Sequence, residues 1–160
     1  MGEWESSRFL ILLATGPLHS TLEDVKIYPL TLHEDSRGWL LKILMQPQIP
    51  GDKTFGEIYV TVARSGAVKG GHYHKTATEW FCVIQGKGKL TLQERDSGRR
   101  MEIFMGEDGP KDKRPSPFGV LIPPNIIHAI RNIGEEPLYL LVYTDKVYDP
   151  SDTIPYDLET

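Results

Sequence analysis

Four side chains that commonly bind divalent metal ions occur in two short segments of the sequence. His72, His74 and Glu79 lie in GGHYHKTATEW, and His128 follows 54 residues after His74, in LIPPNIIHAIRN. Imidazole nitrogens and carboxylate oxygens are ligands for zinc, manganese, iron and nickel, and such sites keep open positions for water or substrate. Three histidines and one glutamate therefore predict a site for one divalent ion.

The spacing of these residues suits β-structure. His72 and His74 are two positions apart, so on a strand both side chains point to the same side. The segment KTAT is typical of a turn, after which Glu79 opens a second strand that can project its carboxylate towards the histidine pair. A Pro-Pro-Asn turn leads into a further strand near His128. The ordinary alternative is that each histidine is only a hydrogen-bonded side chain, but four residues at these spacings favour a metal site.

The rest of the chain supplies a β-scaffold for this site. From residue 25 onward, short apolar runs alternate with Gly, Pro, Asp and Asn: VKIYPLTL, GWLLKIL, EIYVTVA, EWFCVIQ, GKLTLQE, MEIFM, GVLIP, HAIRNI and LYLLVYT. Seven or more strands separated by turn signals indicate an all-β sandwich or barrel. We expect one barrel domain over residues 25–160. Residues 1–24 form an N-terminal arm that is either disordered or docked on a partner subunit.

Composition excludes several classes of function. The chain has 160 residues, 25% of them charged, and a net charge of −4 without a long Lys/Arg tract. This argues against a nucleic-acid-binding face and against an anionic membrane as partner. The apolar run FLILLA at residues 9–14 is too short to cross a bilayer. Cys82 is the single cysteine, which fits a cytoplasmic protein.

The histidine segments resemble the two motifs of the cupin superfamily. Every position of the first motif is filled, by Gly66, His72, His74, Glu79 and Gly86. The second motif is met by Pro123, His128 and Asn132, whereas Pro117 and Asn125 stand where cupins have glycine. Asparagine is the residue other than glycine best suited to a left-handed turn, so the exchange at Asn125 is a mild one. The resemblance implies a jelly-roll barrel of two antiparallel sheets.

Longer stretches resemble the sugar-nucleotide branch of the cupins. HEDSRG, KGGHYHKTATE, GKGK and HAIRNIGEEPLYLLVYTDKVYDP are similar to the C-terminal cupin domain of bifunctional capsular-polysaccharide-assembly enzymes. That domain epimerises a UDP-linked 4-keto-6-deoxy sugar and carries zinc. The dTDP-4-dehydrorhamnose 3,5-epimerases are a more distant match. The resemblance implies a metal-containing epimerase or isomerase of a nucleotide-linked 4-keto-6-deoxy sugar in surface-polysaccharide biosynthesis.

The resemblance also implies roles for individual residues. It makes His72, His74, Glu79 and His128 the ligands of one divalent ion, zinc first, with manganese, iron or nickel as alternatives. Outside this set, three residues are candidates: Arg37 for the nucleotide diphosphate, reaching across a dimer; Lys69 for the sugar or phosphate; and Tyr143 for the catalytic acid. The base is not assigned, and His72 is either ligand or base, since a metal-bound imidazole cannot also accept the proton.

The sequence leaves more than one possibility for the oligomeric state and for the function. Both faces of EWFCVIQ are apolar, so a second sheet or a second subunit should cover the face away from the core, and we expect a homodimer because cupin barrels commonly pair through sheet faces. A three-histidine, one-glutamate site would also serve a metal-dependent dioxygenase of a small molecule. A third alternative is a sugar- or nucleotide-binding cupin without catalysis.

Overall fold

The computed structural model of the chain describes residues 20–106 and 117–160. Within them lie twelve β-strands: β1 (Lys26–Pro29), β2 (Thr31–Asp35), β3 (Gly38–Lys42), β4 (Glu57–Ala63), β5 (Val68–His74), β6 (Glu79–Gln85), β7 (Lys87–Glu94), β8 (Arg100–Gly106), β9 (Phe118–Ile122), β10 (Ile126–Asn132), β11 (Leu138–Thr144) and β12 (Thr153–Pro155). Two 3-10 turns, Leu22–Asp24 and Gln46–Gln48, are the helical segments of the described residues. No helix in this part has the length and hydrophobicity needed to span a bilayer.

The strands form two five-stranded sheets in which all neighbours are antiparallel. The first sheet has the order β1-β9-β6-β11-β4, and the second has the order β12-β5-β10-β7-β8. The hairpin of β2 and β3 is a separate two-stranded sheet. The sheets pack face to face, as in a jelly roll. The prediction of an all-β cupin barrel of two antiparallel sheets is confirmed.

The core lies between the two sheets because alternate strand residues point inward. It consists almost entirely of aliphatic side chains, which bury apolar surface without leaving polar groups unpaired. Its central members are Phe81, Val83, Leu90, Leu92, Ile103, Met105, Val120, Ile122, Ile126, Ile130, Leu138, Leu140 and Val142.

The outer face of β6 is also buried, as its sequence predicted. Trp80 is packed with Leu121 and Tyr143 under the partly buried side chains of Tyr28, Leu44 and Ile49. The chain itself therefore supplies a cover for the face away from the core at this point. No second subunit is needed to bury Trp80.

The predicted N-terminal arm falls partly outside the described residues, namely residues 1–19 with the FLILLA run. Its last part, residues 20–24, packs on the barrel of its own chain. Leu22 is buried in the core, and its backbone N–H donates to Glu94 Oε1 at 2.8 Å. Arg99 bonds to both Glu23 and Glu94 and so ties this segment to β7. Leu22 is therefore shielded from solvent by the barrel of its own chain.

A β-bulge in β5 sets the direction of the first histidine. His72 pairs with His128 on β10, whereas Ala129 pairs with Gly70, so Gly71 is the extra residue. Gly70 and Gly71 have φ angles of 87° and 77°, in the left-handed region that side chains with a Cβ rarely adopt. Lys69 pairs with Ile130 of the core. The bulge therefore puts Lys69 and His72 on the same inner face, although they are three positions apart.

Replacement of Gly70 should be costly for two separable reasons. A Cβ at Gly70 would lie 2.8 Å from the His128 carbonyl oxygen, while a Cβ at Gly66, whose φ is 73°, meets nothing within 4 Å. We expect Gly66→Ala to lower the free energy of unfolding by about 1–2 kcal/mol through backbone strain alone. Gly70→Ala should lower it by about 3 kcal/mol or more, because strain and steric clash add. Chemical denaturation of both variants measures the difference, and equal losses would contradict the role of the close approach.

Candidate metal centre

The four predicted metal ligands meet in the barrel interior. His72, His74, Glu79 and His128 each offer one ligand atom, and these atoms all lie within 4.8 Å of one another. Glu79 is 3% exposed and His128 is 1% exposed, whereas His72 and His74 are half-buried. The accessible side of the cluster is therefore the side of the two β5 histidines.

Local structure brings the two segments together. His74 ends β5, residues 75–78 turn, and Glu79 begins β6. On the other segment, Asn125 has a φ of 66°, which confirms the left-handed turn predicted for it. The backbone N–H of Asn125 donates to the His74 carbonyl oxygen at 2.7 Å. This bond fastens the start of β10 to the end of β5 and places His128 opposite His72.

Three buried ligand atoms in the cluster have no hydrogen-bond partner among the described residues: His74 Nε2, Glu79 Oε2 and His128 Nε2. Glu79 Oε2 lies 2.9 Å from His128 Nε2 and 3.4 Å from His74 Nε2. Buried polar atoms without partners are costly and uncommon in folded proteins. A shared cation would satisfy all three, so the donor set and its geometry fit one divalent ion.

Two of the four residues, His72 and Glu79, have pKa shifts that suit metal ligands, whereas for His74 burial is outweighed by Glu79 and Asp152, which raise its pKa. Burial, together with the neighbouring His128, lowers the pKa of His72 to about 4, so its imidazole is neutral at physiological pH. Burial raises the pKa of Glu79, but the imidazoles of His128 and His74 outweigh it and hold that pKa well below its usual range. Metal ligands must be neutral imidazoles and ionised carboxylates. His72 and Glu79 are both in the required form.

Further contacts orient the ligands. His128 Nδ1 lies 3.0 Å from the carbonyl oxygen of Ile126 and donates to it when Nδ1 carries the proton, which leaves Nε2 to face the cluster. The hydroxyl of Tyr59, on β4, donates to Glu79 Oε1 at 3.3 Å. Burial, followed by the charge of Glu79, raises the pKa of Tyr59, so its hydroxyl stays protonated as a donor. Oε2 of Glu79 is thereby left to the imidazoles.

The candidate substrate residues occupy different places. Lys69 is exposed on the inner face of β5, the face that carries His72. Arg37 stands in the turn between β2 and β3, with its largely exposed side chain bonded to Asp35 at 2.6 Å. The structure thus puts Lys69 on the strand face that carries His72, whereas Arg37 lies in the β2–β3 turn and bonds there to Asp35.

Tyr143 is not at the cluster, which corrects the prediction that it supplies the acid. Its neighbour Val142 faces the core, and Tyr143 packs on the opposite face of the first sheet beside Trp80. Its hydroxyl donates to the carbonyl oxygen of Thr54 at 3.1 Å. A sheet therefore separates the Tyr143 side chain from the four ligand residues.

Sequence reasoning missed Tyr59 and a second residue, Asp152, whose carboxylate lies 3.5 Å from His74 Nδ1. Alternation in EIYVTVA puts Tyr59 on the face opposite Ile58, but it does not say which of these faces is inside. Asp152 follows several other acidic residues near the C-terminus, and only the pairing of β12 with β5 shows that it is near His74.

The chain is similar to proteins of surface-polysaccharide and sugar-nucleotide metabolism. It is 26% identical over 148 residues to the spore coat polysaccharide biosynthesis protein SpsL of Bacillus subtilis, which covers 87% of this chain and 93% of SpsL. It resembles the capsular polysaccharide assembling protein CapF of Staphylococcus aureus with a TM-score of 0.56 and 26% identity. That match covers 82% of this chain and 35% of CapF, so this chain spans about a third of the length of CapF.

A third similarity concerns the fold alone. The sugar 3,4-ketoisomerase QdtA of Thermoanaerobacterium thermosaccharolyticum, in complex with TDP, matches with a TM-score of 0.69 and 22% identity over 86% of this chain and 91% of QdtA. Residues 33–156 match the family described as the polysaccharide biosynthesis C-terminal domain. These residues include both histidine segments and most of the barrel. The chain is therefore a member of the polysaccharide biosynthesis C-terminal domain family, and its fold is of the cupin type.

Proposed function

We propose that this protein is an epimerase or isomerase of a nucleotide-linked 4-keto-6-deoxy sugar in surface-polysaccharide biosynthesis. The observation that carries the proposal is the cluster of three imidazoles and one carboxylate at the accessible interior of the barrel. SpsL and CapF, which are similar to this chain, are named for polysaccharide biosynthesis and assembly. The solved structure of QdtA, a sugar isomerase of the same fold, holds TDP.

The proposed reaction needs three things. A proton must leave the carbon beside the ketone, the resulting enolate oxygen must be stabilised, and a proton must return on the opposite face or at the neighbouring carbon. A divalent ion, zinc in the first instance, would be held by His72, His74, Glu79 and His128 and would supply positive charge for the enolate oxygen.

The protein's own residues prepare the site for this chemistry. Tyr59 holds one oxygen of Glu79, and the Ile126 carbonyl holds the far nitrogen of His128, so both ligands are fixed before substrate enters. Phe81 contacts the His128 ring edge-on at 5.6 Å between centroids and so places an apolar side chain on that side of the cluster. Lys69 lies on the same strand face as His72, which supports the proposal that it contacts the sugar or a phosphate.

Solvent exchange tests the proposed reaction directly. Incubation with a UDP- or dTDP-4-keto-6-deoxy sugar in heavy water should place deuterium on the carbon next to the ketone, because the abstracted proton exchanges with solvent. Mass spectrometry of the recovered sugar measures the label. A metal-loaded protein that labels no member of a panel of such sugars, yet consumes oxygen with iron, would favour the dioxygenase alternative.

The metal part of the proposal has its own test. Glu79→Gln keeps the size of the side chain but removes the charge, so zinc affinity should fall about 100-fold or more. Zinc content after dialysis, measured by mass spectrometry, gives the result. Glu102→Gln is the matched control, since Glu102 is an exposed residue that pairs with Lys89 at 3.1 Å. One zinc retained per chain in Glu79→Gln would count against the cluster as the metal site.

The homodimer also belongs to the proposal, with a second copy of this chain on the outer face of the first sheet. β4 is an edge strand of that sheet, and Ile58, Val60 and Val62 are 56%, 50% and 40% exposed along it. The β2–β3 hairpin exposes Trp39 and Leu40 and forms no sheet with the barrel strands. An isolated two-stranded hairpin is marginal in water, so a second copy that covers both surfaces would stabilise it. Arg37 would then contact the diphosphate at the partner's site.

A charge on β4 should separate the subunits. Val60→Asp is expected to convert a dimer at micromolar concentration into a monomer, because it buries a carboxylate in the proposed interface. Light scattering measures the mass. Phe104→Asp is the control: Phe104 is 53% exposed on β8, the edge of the other sheet, and should leave the dimer intact. A wild-type monomer, or a Val60→Asp dimer, would refute this interface.

A further inference from the structure

The turn between the two metal-ligand positions His74 and Glu79 is held by aspartates from the C-terminal part of the chain. Within residues 75–78, Lys75 donates its backbone N–H to the carbonyl oxygen of Asp152 at 3.0 Å. Thr76 Oγ1 donates to Asp152 Oδ1 at 2.6 Å. The backbone N–H of Ala77 donates to Asp152 Oδ2 at 3.2 Å. Three consecutive turn residues are therefore bonded to one buried aspartate.

The fourth turn residue is bonded to a second aspartate. Thr78 donates its N–H to Asp145 Oδ1 at 2.7 Å, and its carbonyl oxygen accepts from the N–H of Asp145 at 3.2 Å. The other carboxylate oxygen of Asp145 lies 3.4 Å from Lys53 Nζ. Asp145 thus fixes the turn, but its charge is compensated by a lysine rather than by a metal-ligand residue.

Asp152 differs from Asp145 because it also faces a ligand. Its Oδ2 lies 3.5 Å from His74 Nδ1, and the hydroxyl oxygen of Thr153 lies 3.3 Å from the same nitrogen. His74 Nε2, on the other side of the ring, lies 3.4 Å from Glu79 Oε2 in the cluster. A carboxylate at the far nitrogen of a ligand histidine fixes the tautomer, orients the ring and raises its basicity as a ligand.

From this arrangement we infer that Asp152 is a positioning residue of the metal centre. This inference rests on the metal binding proposed above. Asp152 acts in two ways at once: it holds the turn that spaces His74 from Glu79, and it places negative charge behind the His74 ring. Asp145 performs the first task without the second, which makes it the natural control.

The experiment compares zinc affinity in Asp152→Asn and Asp145→Asn by competition with a chromophoric chelator, using the full chain. Asparagine keeps the size and one acceptor oxygen in both variants. Asp152→Asn should bind zinc about 10–100-fold more weakly than wild type. The zinc affinity of Asp145→Asn should stay within about threefold of wild type, even if the unfolding midpoint of its metal-free form falls as much as that of Asp152→Asn. Cobalt loaded in place of zinc should show a changed visible spectrum in Asp152→Asn alone.

Two results would overturn the inference: zinc affinity unchanged in Asp152→Asn, or affinity lost equally in both variants in proportion to their loss of stability. A wild-type chain that binds neither zinc nor cobalt would instead refute the proposed metal site itself. Should Asp152→Asn fail to fold, nitrogen NMR of the histidines in the zinc-loaded wild type decides. His74 is expected to coordinate through Nε2 with a proton on Nδ1, and coordination through Nδ1 would refute the role of Asp152.

Discussion

The burial of one carboxylate, that of Glu79, is the constraint on which the rest of the site depends. An ionised group that is 3% exposed loses most of its hydration, at a cost of several kcal/mol unless other groups compensate. In the barrel the Tyr59 hydroxyl donates to Oε1, and the imidazole nitrogens of His128 and His74 lie 2.9 Å and 3.4 Å from Oε2. Each of these groups must be held in place, because a misplaced partner would leave the charge unpaired. The backbone geometry around the site keeps these groups in position around Glu79.

Contacts between segments that are far apart in sequence hold the ligand residues in place. Asn125 fastens the start of β10 to His74, the Gly70–Gly71 bulge turns His72 inward, and Asp152 grips the turn before Glu79. Asn125 and the Gly70–Gly71 bulge have left-handed backbone conformations, which are strained for most residues. Such strain persists only where neighbouring structure fixes it, and here the two packed sheets supply that rigidity.

Features that depend on neighbouring residues could be predicted from the sequence, whereas contacts between distant segments could not. The strands and the pair His72 and His74 could be predicted because period-two alternation and turn residues are local signals. Tyr143 was misplaced because β11 is apolar on both faces, so alternation could not tell which face meets the interior. Asp152 was missed because its contact with His74 depends on the pairing of β12 with β5, which no local pattern encodes.

Strand β4 links the chemistry of the interior to the surface of the molecule. Tyr59 pairs with Val142 of the core and points inward to Glu79, whereas Val60 pairs with Leu141 and points outward, where it is half-exposed. Successive residues of one edge strand thus serve the metal-ligand cluster and the proposed subunit interface. An edge strand has hydrogen-bonded support on one side only, so a second copy that covered its outer face would also restrain Tyr59. In the proposed dimer, assembly and the orientation of Glu79 are consequently coupled through a single strand.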